Sequence, residues 1–150
     1  MRAIFKLSIV FIAAISLVSC EKEADPESVY NDYLTSIQSM KTMSDNDYQR
    51  FISARAKAVV EEKISGIKKD QLDLFLTLFK DEAVIPEASR INLNSTSQET
   101  ANLKIVAEDY PEEGSMHEQN VSFVRERGWK IDKIEVITSG DGFEFKSITY

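Results

Sequence analysis

The spacing of the apolar residues changes from a helical period to a strand period at about Pro86. Before this point, apolar side chains recur every three or four residues in three segments, which begin near Asp25, Ser44 and Asp70. After it, apolar and polar residues alternate, as they do in strands with one buried face. The pattern predicts an α+β fold in which three N-terminal helices pack on a curved antiparallel sheet of about four strands.

Each helical segment opens with residues that favour a helix start. Asp25 stands before a Pro-Glu pair, so we expect it to cap the first helix. Ser44 is the predicted cap of the second helix, which ends at Gly66. The third helix begins at Asp70, and its wide apolar stripe predicts that it is the most buried of the three.

The sheet is predicted from four alternating segments and a short final one. A weak strand at 92–94 precedes a clear strand at 101–107. The strands at 121–125 and 129–136 are joined by a tight turn at Arg127 and Gly128. A change of parity near Asp132 and Lys133 indicates a β-bulge in the second of these strands. Phe143 and Phe145 can form the short last strand.

The side chains expected to face the helices from the sheet are all apolar. None can ionise, whereas general acid or base catalysis needs a carboxylate or a histidine near the substrate. This absence favours a binding or scaffold domain over an enzyme, although Arg55 and Asp73 on the helices could still point inward. The inward set is Leu103, Ile105, Val121, Phe123, Trp129, Ile131, Ile134 and Val136.

Metal and cofactor sites are not expected in this chain. It has one cysteine and one histidine, which excludes Cys-rich and two-His metal motifs. We expect His117 to lie in a solvated acidic loop beside Glu118. Phosphate-binding and dinucleotide-binding motifs are absent from the sequence. We therefore predict no cofactor and no metal.

The first twenty residues have the pattern of a bacterial export signal. Arg2 and Lys6 precede an uncharged, mostly apolar run of 12 residues that ends at Val18. Such a run is too short to cross a hydrocarbon core of about 30 Å as a helix, and it suits a signal peptide. It ends in Leu17-Val18-Ser19-Cys20, which resembles the lipobox of bacterial lipoproteins.

The lipobox resemblance implies cleavage between Ser19 and Cys20 and lipidation of Cys20. Residues 1–19 are then a lipoprotein signal peptide, 20–25 a lipidated tether and 26–150 a single α+β domain. Two or more acyl chains give a stable membrane anchor. Glu21 rather than Asp follows the lipidated position, and by resemblance this favours the periplasmic face of the outer membrane over the inner membrane. A buried core cysteine is the alternative for Cys20.

Loss of the signal segment makes the chain more acidic. Residues 1–19 carry two basic and no acidic side chains, so the formal net charge changes from −7 to −9. A strongly acidic chain is repelled by phosphate backbones, and nucleic acid is therefore not an expected partner. The expected partners are the membrane, through the lipid on Cys20, and an apolar small molecule or an envelope protein.

The predicted domain resembles small lipoproteins with a nuclear-transport-factor-2-like, cone-shaped fold. The likeness is carried by the helix start at 25–27, the sheet segment 101–136 and the hairpin 121–131, which ends in Gly-Trp-Lys-Ile. It implies that helices and sheet enclose a cone, and members of this fold include enzymes, ligand binders and scaffolds. A cystatin-like arrangement of helix and sheet is the structural alternative.

Four residues near the late hairpin are the candidate binding residues: Phe123, Arg125, Arg127 and Trp129. Arginine and tryptophan are enriched at the energetic centres of interfaces. The leading hypothesis is a non-enzymatic envelope lipoprotein with a binding or scaffold domain. One alternative is a lipid-anchored enzyme with its site in the cone. Another is an inhibitor or accessory factor for an envelope protein, which uses a loop such as 110–117.

Overall fold

Three helices precede five strands in residues 24–150, which are the residues that the computed structural model describes, apart from the side chain of Ser95. Cys20, the cleavage position and the signal segment lie outside them. The five strands form one antiparallel sheet in the order β1-β2-β3-β4-β5. The α+β class is confirmed, and the sheet has five strands where about four were predicted, the fifth being the short last strand. The elements are α1 (Pro26–Ser39), α2 (Ala54–Ser65), α3 (Leu72–Glu82), β1 (Arg90–Thr96), β2 (Thr100–Glu108), β3 (Met116–Arg125), β4 (Trp129–Gly140) and β5 (Phe143–Ile148).

Helix α1 begins as the sequence predicts. The Asp25 carboxylate accepts a hydrogen bond from the Ser28 backbone N–H at 2.9 Å, and Pro26 occupies the first helical position. The helix packs against β2 and β4. Its apolar face is buried through Val29, Tyr30, Tyr33, Leu34 and Ile37.

The predicted start of the second helix is wrong by nine residues, since the cap is Ser53 and not Ser44. Ser44 does not cap a helix, and Asp47–Arg50 forms only a short 3₁₀ turn. Helix α2 begins at Ala54, where the Ser53 hydroxyl accepts from the Ala56 N–H at 3.0 Å. The end of α2 at Gly66 is confirmed. Before the helix begins, Ile52 and Ser53 pair with β4.

Helix α3 is not the most buried of the three helices. It begins at Leu72, after a 3₁₀ turn at Lys69–Gln71, and its buried residues are Leu76 and Phe79. Leu74 and Leu78 are 63% and 54% exposed. The wide apolar stripe therefore includes leucines that face solvent in this structure.

The apolar face of the sheet is buried as predicted. All eight residues of the inward set are buried, and Phe123 and Trp129 belong to the same core cluster as the apolar residues of α1. The space between helices and sheet is therefore filled by side chains. Arg55 and Asp73 on the helices are exposed and do not point into it.

The predicted β-bulge lies at Asp132. Ser122 pairs with Lys133 and Phe123 pairs with Ile131, so Asp132 has no partner on β3. Because side chains alternate along a strand, the extra residue puts both Ile131 and Ile134 on the buried face.

Both halves of β4 are covered at the edge opposite β3. The second half pairs with β5, from Glu135 onward. The first half meets the extended segment before α2, where Ile52 forms a parallel bridge with Ile131. The Ile131 N–H donates to the Phe51 carbonyl, and the Ser53 N–H donates to the Ile131 carbonyl, each at 2.8 Å. This pairing leaves no open backbone edge there, so it fixes where α2 begins.

Candidate functional site

Three of the four candidate binding residues lie together at the β3–β4 hairpin. The Arg125 guanidinium stacks over the Trp129 ring, 4.5 Å from its centroid. Arg127 lies at the hairpin tip with a left-handed backbone (φ 48°), followed by Gly128 (φ 108°), which a non-glycine residue adopts with difficulty. Phe123 does not join them at the surface, since it is 1% exposed within the core.

The hairpin forms one side of a hollow of about 340 Å³ that reaches the start of α1. We call this surface, together with Arg125, the tether face, because it includes Ala24, which is the first described residue and lies in the predicted tether 20–25. Arg50 stacks over the Phe51 ring at 4.7 Å, which repeats the Arg–aromatic pairing of the hairpin. The hollow is lined by Ala24, Val29, Asp32, Arg50, Phe51, Arg127, Gly128, Trp129 and Lys130.

Three basic side chains of the tether face make no ion pair within the described chain. The Lys130 ammonium donates to the Arg50 carbonyl, and the Glu126 carboxylate accepts from the Ala54 N–H. Within residues 24–150, no ion pair involves Arg50, Arg127 or Lys130, whereas other basic residues do pair, such as Arg55 with Asp132 at 3.0 Å. Sequence reasoning missed Arg50, Phe51 and Lys130, although the adjacent Arg-Phe pair was a visible signal.

A second concave surface lies between α2, α3 and the end of β5. This α3–β5 groove has a volume of about 190 Å³. Its walls are mostly apolar, and the half-exposed Leu78 and Ile148 stand at its mouth. It is lined by Met43, Val60, Lys63, Phe75, Leu78, Phe79, Glu82, Ser147, Ile148, Thr149 and Tyr150.

The polar groups at the rim of the groove are already bonded within the chain. The Lys63 ammonium donates to the carbonyls of Ile148 and Thr149, at 3.1 and 2.7 Å. The Glu82 carboxylate accepts from the hydroxyls of Ser147 and Thr149, at 3.0 and 3.3 Å. An occupant of the groove would therefore be held mainly by burial of its apolar surface.

His117 lies in β3 and not in the solvated loop expected for it. Its Nδ1 is 3.1 Å from the Thr138 hydroxyl, and its Nε2 is 3.0 Å from the Gln119 side-chain nitrogen. Gln119, which is buried, also donates to the Val84 carbonyl at 2.7 Å and accepts from the Tyr30 hydroxyl at 3.0 Å. The amide nitrogen only donates, so Nε2 accepts and the ring proton is on Nδ1.

The environment of His117 favours the neutral imidazole. Burial lowers the pKa of His117 below its ordinary value of 6.5. The Tyr110 ring packs edge-on against the imidazole, with centroids 5.3 Å apart. Both ring nitrogens are engaged, which suits a structural link between β3, β4 and α1. No group of three or more His, Cys, Asp or Glu side chains able to hold a metal occurs in residues 24–150.

Known proteins give no further guide to this site. No family model, curated protein or solved structure matches the chain. Among the described residues, none of the helices has both the length and the apolar character needed to cross a bilayer.

Proposed function

We propose that the chain is a lipid-anchored protein of the bacterial cell envelope whose α+β domain binds an apolar ligand without catalysing a reaction. Cys20 carries the lipid, and Glu21 favours the periplasmic face of the outer membrane. The observation that carries the binding role is the α3–β5 groove, a concave surface with mostly apolar walls whose rim groups are already bonded within the chain.

The size and walls of the groove indicate the kind of ligand. Pockets for drug-sized ligands have volumes of about 300–1,000 Å³, and this groove, at about 190 Å³, is smaller. A small apolar groove whose rim groups are already hydrogen-bonded suits a single acyl chain. Leu74, which is 63% exposed, lies one helical turn before Leu78 and does not line the groove.

The test is binding of parinaric acid, a fatty acid that becomes fluorescent in apolar surroundings. Leu78→Glu places a carboxylate at the mouth of the groove and should abolish most of the binding. Leu74→Glu makes the same change one helical turn away, outside the groove lining, and should bind as the wild type does. Equal binding by the two variants, or no binding by the wild type, would contradict the proposal.

A protein partner is the second candidate function, and β5 is the observation that favours it. This strand is at the edge of the sheet and exposes large apolar side chains, since Phe143 is 45% and Phe145 62% exposed. Edge strands of this kind accept an extended segment of another protein. Crosslinking in native membranes tests it, because a partner of an inhibitor or accessory factor would crosslink to β5 or to the loop before β3.

The enzyme alternative has less support. The inward-facing histidine is the group that would serve as a base, but both of its ring nitrogens are hydrogen-bonded to Thr138 and Gln119. A general base needs a free acceptor within reach of the substrate. Phe123 and Trp129 also fill the space in which the cone site of an enzyme would lie.

A further inference from the structure

We infer that the tether face rests against the surface of the membrane that holds Cys20, where its basic side chains contact the phosphates of phospholipid headgroups. The inference rests on the proposed lipid anchor and adds to it an orientation of the domain. It concerns a surface distinct from the α3–β5 groove, since the two share no lining residue.

The length of the tether limits how far this surface can be from the membrane. Ala24 lines the hollow of the tether face, and Cys20 is four residues earlier in the chain. A fully extended chain spans at most about 3.6 Å per residue, so Ala24 lies within about 14 Å of the lipidated cysteine. The tether therefore holds the surface around Ala24 near the headgroups.

The charge of the tether face opposes that of the whole chain. Arg50, Arg125, Arg127 and Lys130 are basic, while Asp32, Asp47 and Glu126 are the acidic side chains beside them. The face therefore has a formal charge of +1 in a chain whose formal net charge is −7. The screening length for attraction to phosphates is about 8 Å at physiological salt, so the attraction acts when the face is close to the headgroups. The acidic tether residues 21 and 23 oppose this attraction.

The aromatic rings support the same contact. Phe51 is half-buried and Trp129 is 8% exposed, and each has a guanidinium stacked over it at 4.7 and 4.5 Å. Stacking holds an arginine side chain in place, so less side-chain entropy is lost when it binds a phosphate. Arg127 stands at the tip of a glycine-containing turn and projects from the same hairpin.

The single tryptophan of the chain provides a direct test. The full-length lipidated protein, purified from membranes, is placed in vesicles of phosphatidylethanolamine and phosphatidylglycerol that contain a lipid with a nitroxide on its headgroup. Nitroxides quench fluorescence only at short range, so Trp129 should be strongly quenched. The quenching should weaken as salt is raised to 1 M, where the screening length falls to about 3 Å.

Two double variants distinguish an effect of charge on the tether face from an effect of charge elsewhere on the protein. Arg50→Glu with Arg127→Glu should lose most of the quenching while the protein stays bound to vesicles. Lys68→Glu with Lys69→Glu makes the same charge change on the exposed connection between α2 and α3, and should keep it. A bound protein with unquenched Trp129, or equal quenching in both double variants, would overturn the orientation alone. Failure to bind vesicles, with no acyl mass on Cys20, would overturn the anchor and this inference together.

Discussion

A chain of hydrogen-bonded side chains connects α1 to the middle of the sheet through Gln119 and His117. Each member depends on its neighbours because a buried polar group without a partner costs about 1–3 kcal/mol. His117 accepts from Gln119 through Nε2 only while that nitrogen is unprotonated. The link is therefore sensitive to pH.

Stability should decrease as the pH falls below about 6.5, the ordinary pKa of histidine. Burial lowers the pKa of His117 in the folded chain, so the unfolded chain takes up the proton first. The contribution of His117 is fully present above pH 6.5 and is lost as the pH falls towards its folded pKa. Urea unfolding between about pH 7.5 and about pH 5.5 should show this slope, and His117→Asn should flatten it. The same slope in both proteins would contradict a buried, neutral His117; the chain has no other histidine to produce it.

The position of His117 was not predictable from its neighbours because the charges beside it are paired across the sheet. Glu118 lies next to it on the opposite face of β3, and its carboxylate meets the Lys104 ammonium of β2 at 2.6 Å. A hydrogen bond from that ammonium holds the pKa of Glu118 below its ordinary value. Such cross-strand pairs let a charged segment form a strand, but they become visible only when the register is known.

At the scale of the elements, α2 depends on a cap that also joins it to the sheet. The Ser53 hydroxyl donates to the Asp132 carboxylate at 2.6 Å and accepts from the Ala56 N–H. Asp132 is the extra residue of the β-bulge, and its carboxylate also binds the Arg55 guanidinium. The bulge therefore turns one carboxylate towards the start of the helix.

Ser53→Ala should lower the free energy of unfolding by about 1–3 kcal/mol, because it removes both the cap and the bond to Asp132. Ser44→Ala is the matched control, since Ser44 is exposed and caps no helix. Its effect should stay within about 0.5 kcal/mol. Chemical denaturation measures both changes. An equal loss of unfolding free energy in the two variants would show that the Ser53 hydroxyl does not stabilise the start of α2.

Local pattern predicted most elements correctly, and it failed where tertiary pairing determined the outcome. Alternation identified the buried residues of β2, β3 and β4, and the change of parity located the bulge at Asp132. Ser44 has the spacing expected of a helix cap, but it does not cap a helix. The segment forms a turn instead, in which the Asp45 carboxylate accepts from the N–H groups of Lys41 and Thr42. Ile52 and Ser53 then pair with β4, which no local signal predicts.

The candidate sites were predictable to different degrees. Arg125, Arg127 and Trp129 are close in sequence, so their grouping at one hairpin was visible from the pattern. Arg50 and Phe51 come to the same surface only because the segment before α2 pairs with β4. The α3–β5 groove joins residues far apart in the chain, and the sequence suggested only that the leucines of α3 would be buried.

At the scale of the whole molecule, three features make up the proposed arrangement: the lipid anchor at Cys20, the basic side chains of the tether face and the α3–β5 groove. The domain is acidic overall, and its tether face concentrates basic side chains near the first described residue. In the proposed arrangement Cys20 is in the membrane and this face lies towards the headgroups, while the α3–β5 groove is a separate surface for the proposed ligand. The proposed location and orientation therefore depend on the lipid at Cys20, whereas binding in the groove does not.

The most direct test of that dependence is the mass of the N-terminal peptide of the protein isolated from bacterial membranes. The account predicts a peptide that begins at Cys20 and carries a diacylglyceryl thioether, with no residue before it. Cys20→Ala should yield no lipid-bearing peptide and should leave the membrane fraction. A membrane-derived peptide that retains Ser19, or that begins at an unmodified Cys20, would contradict the account.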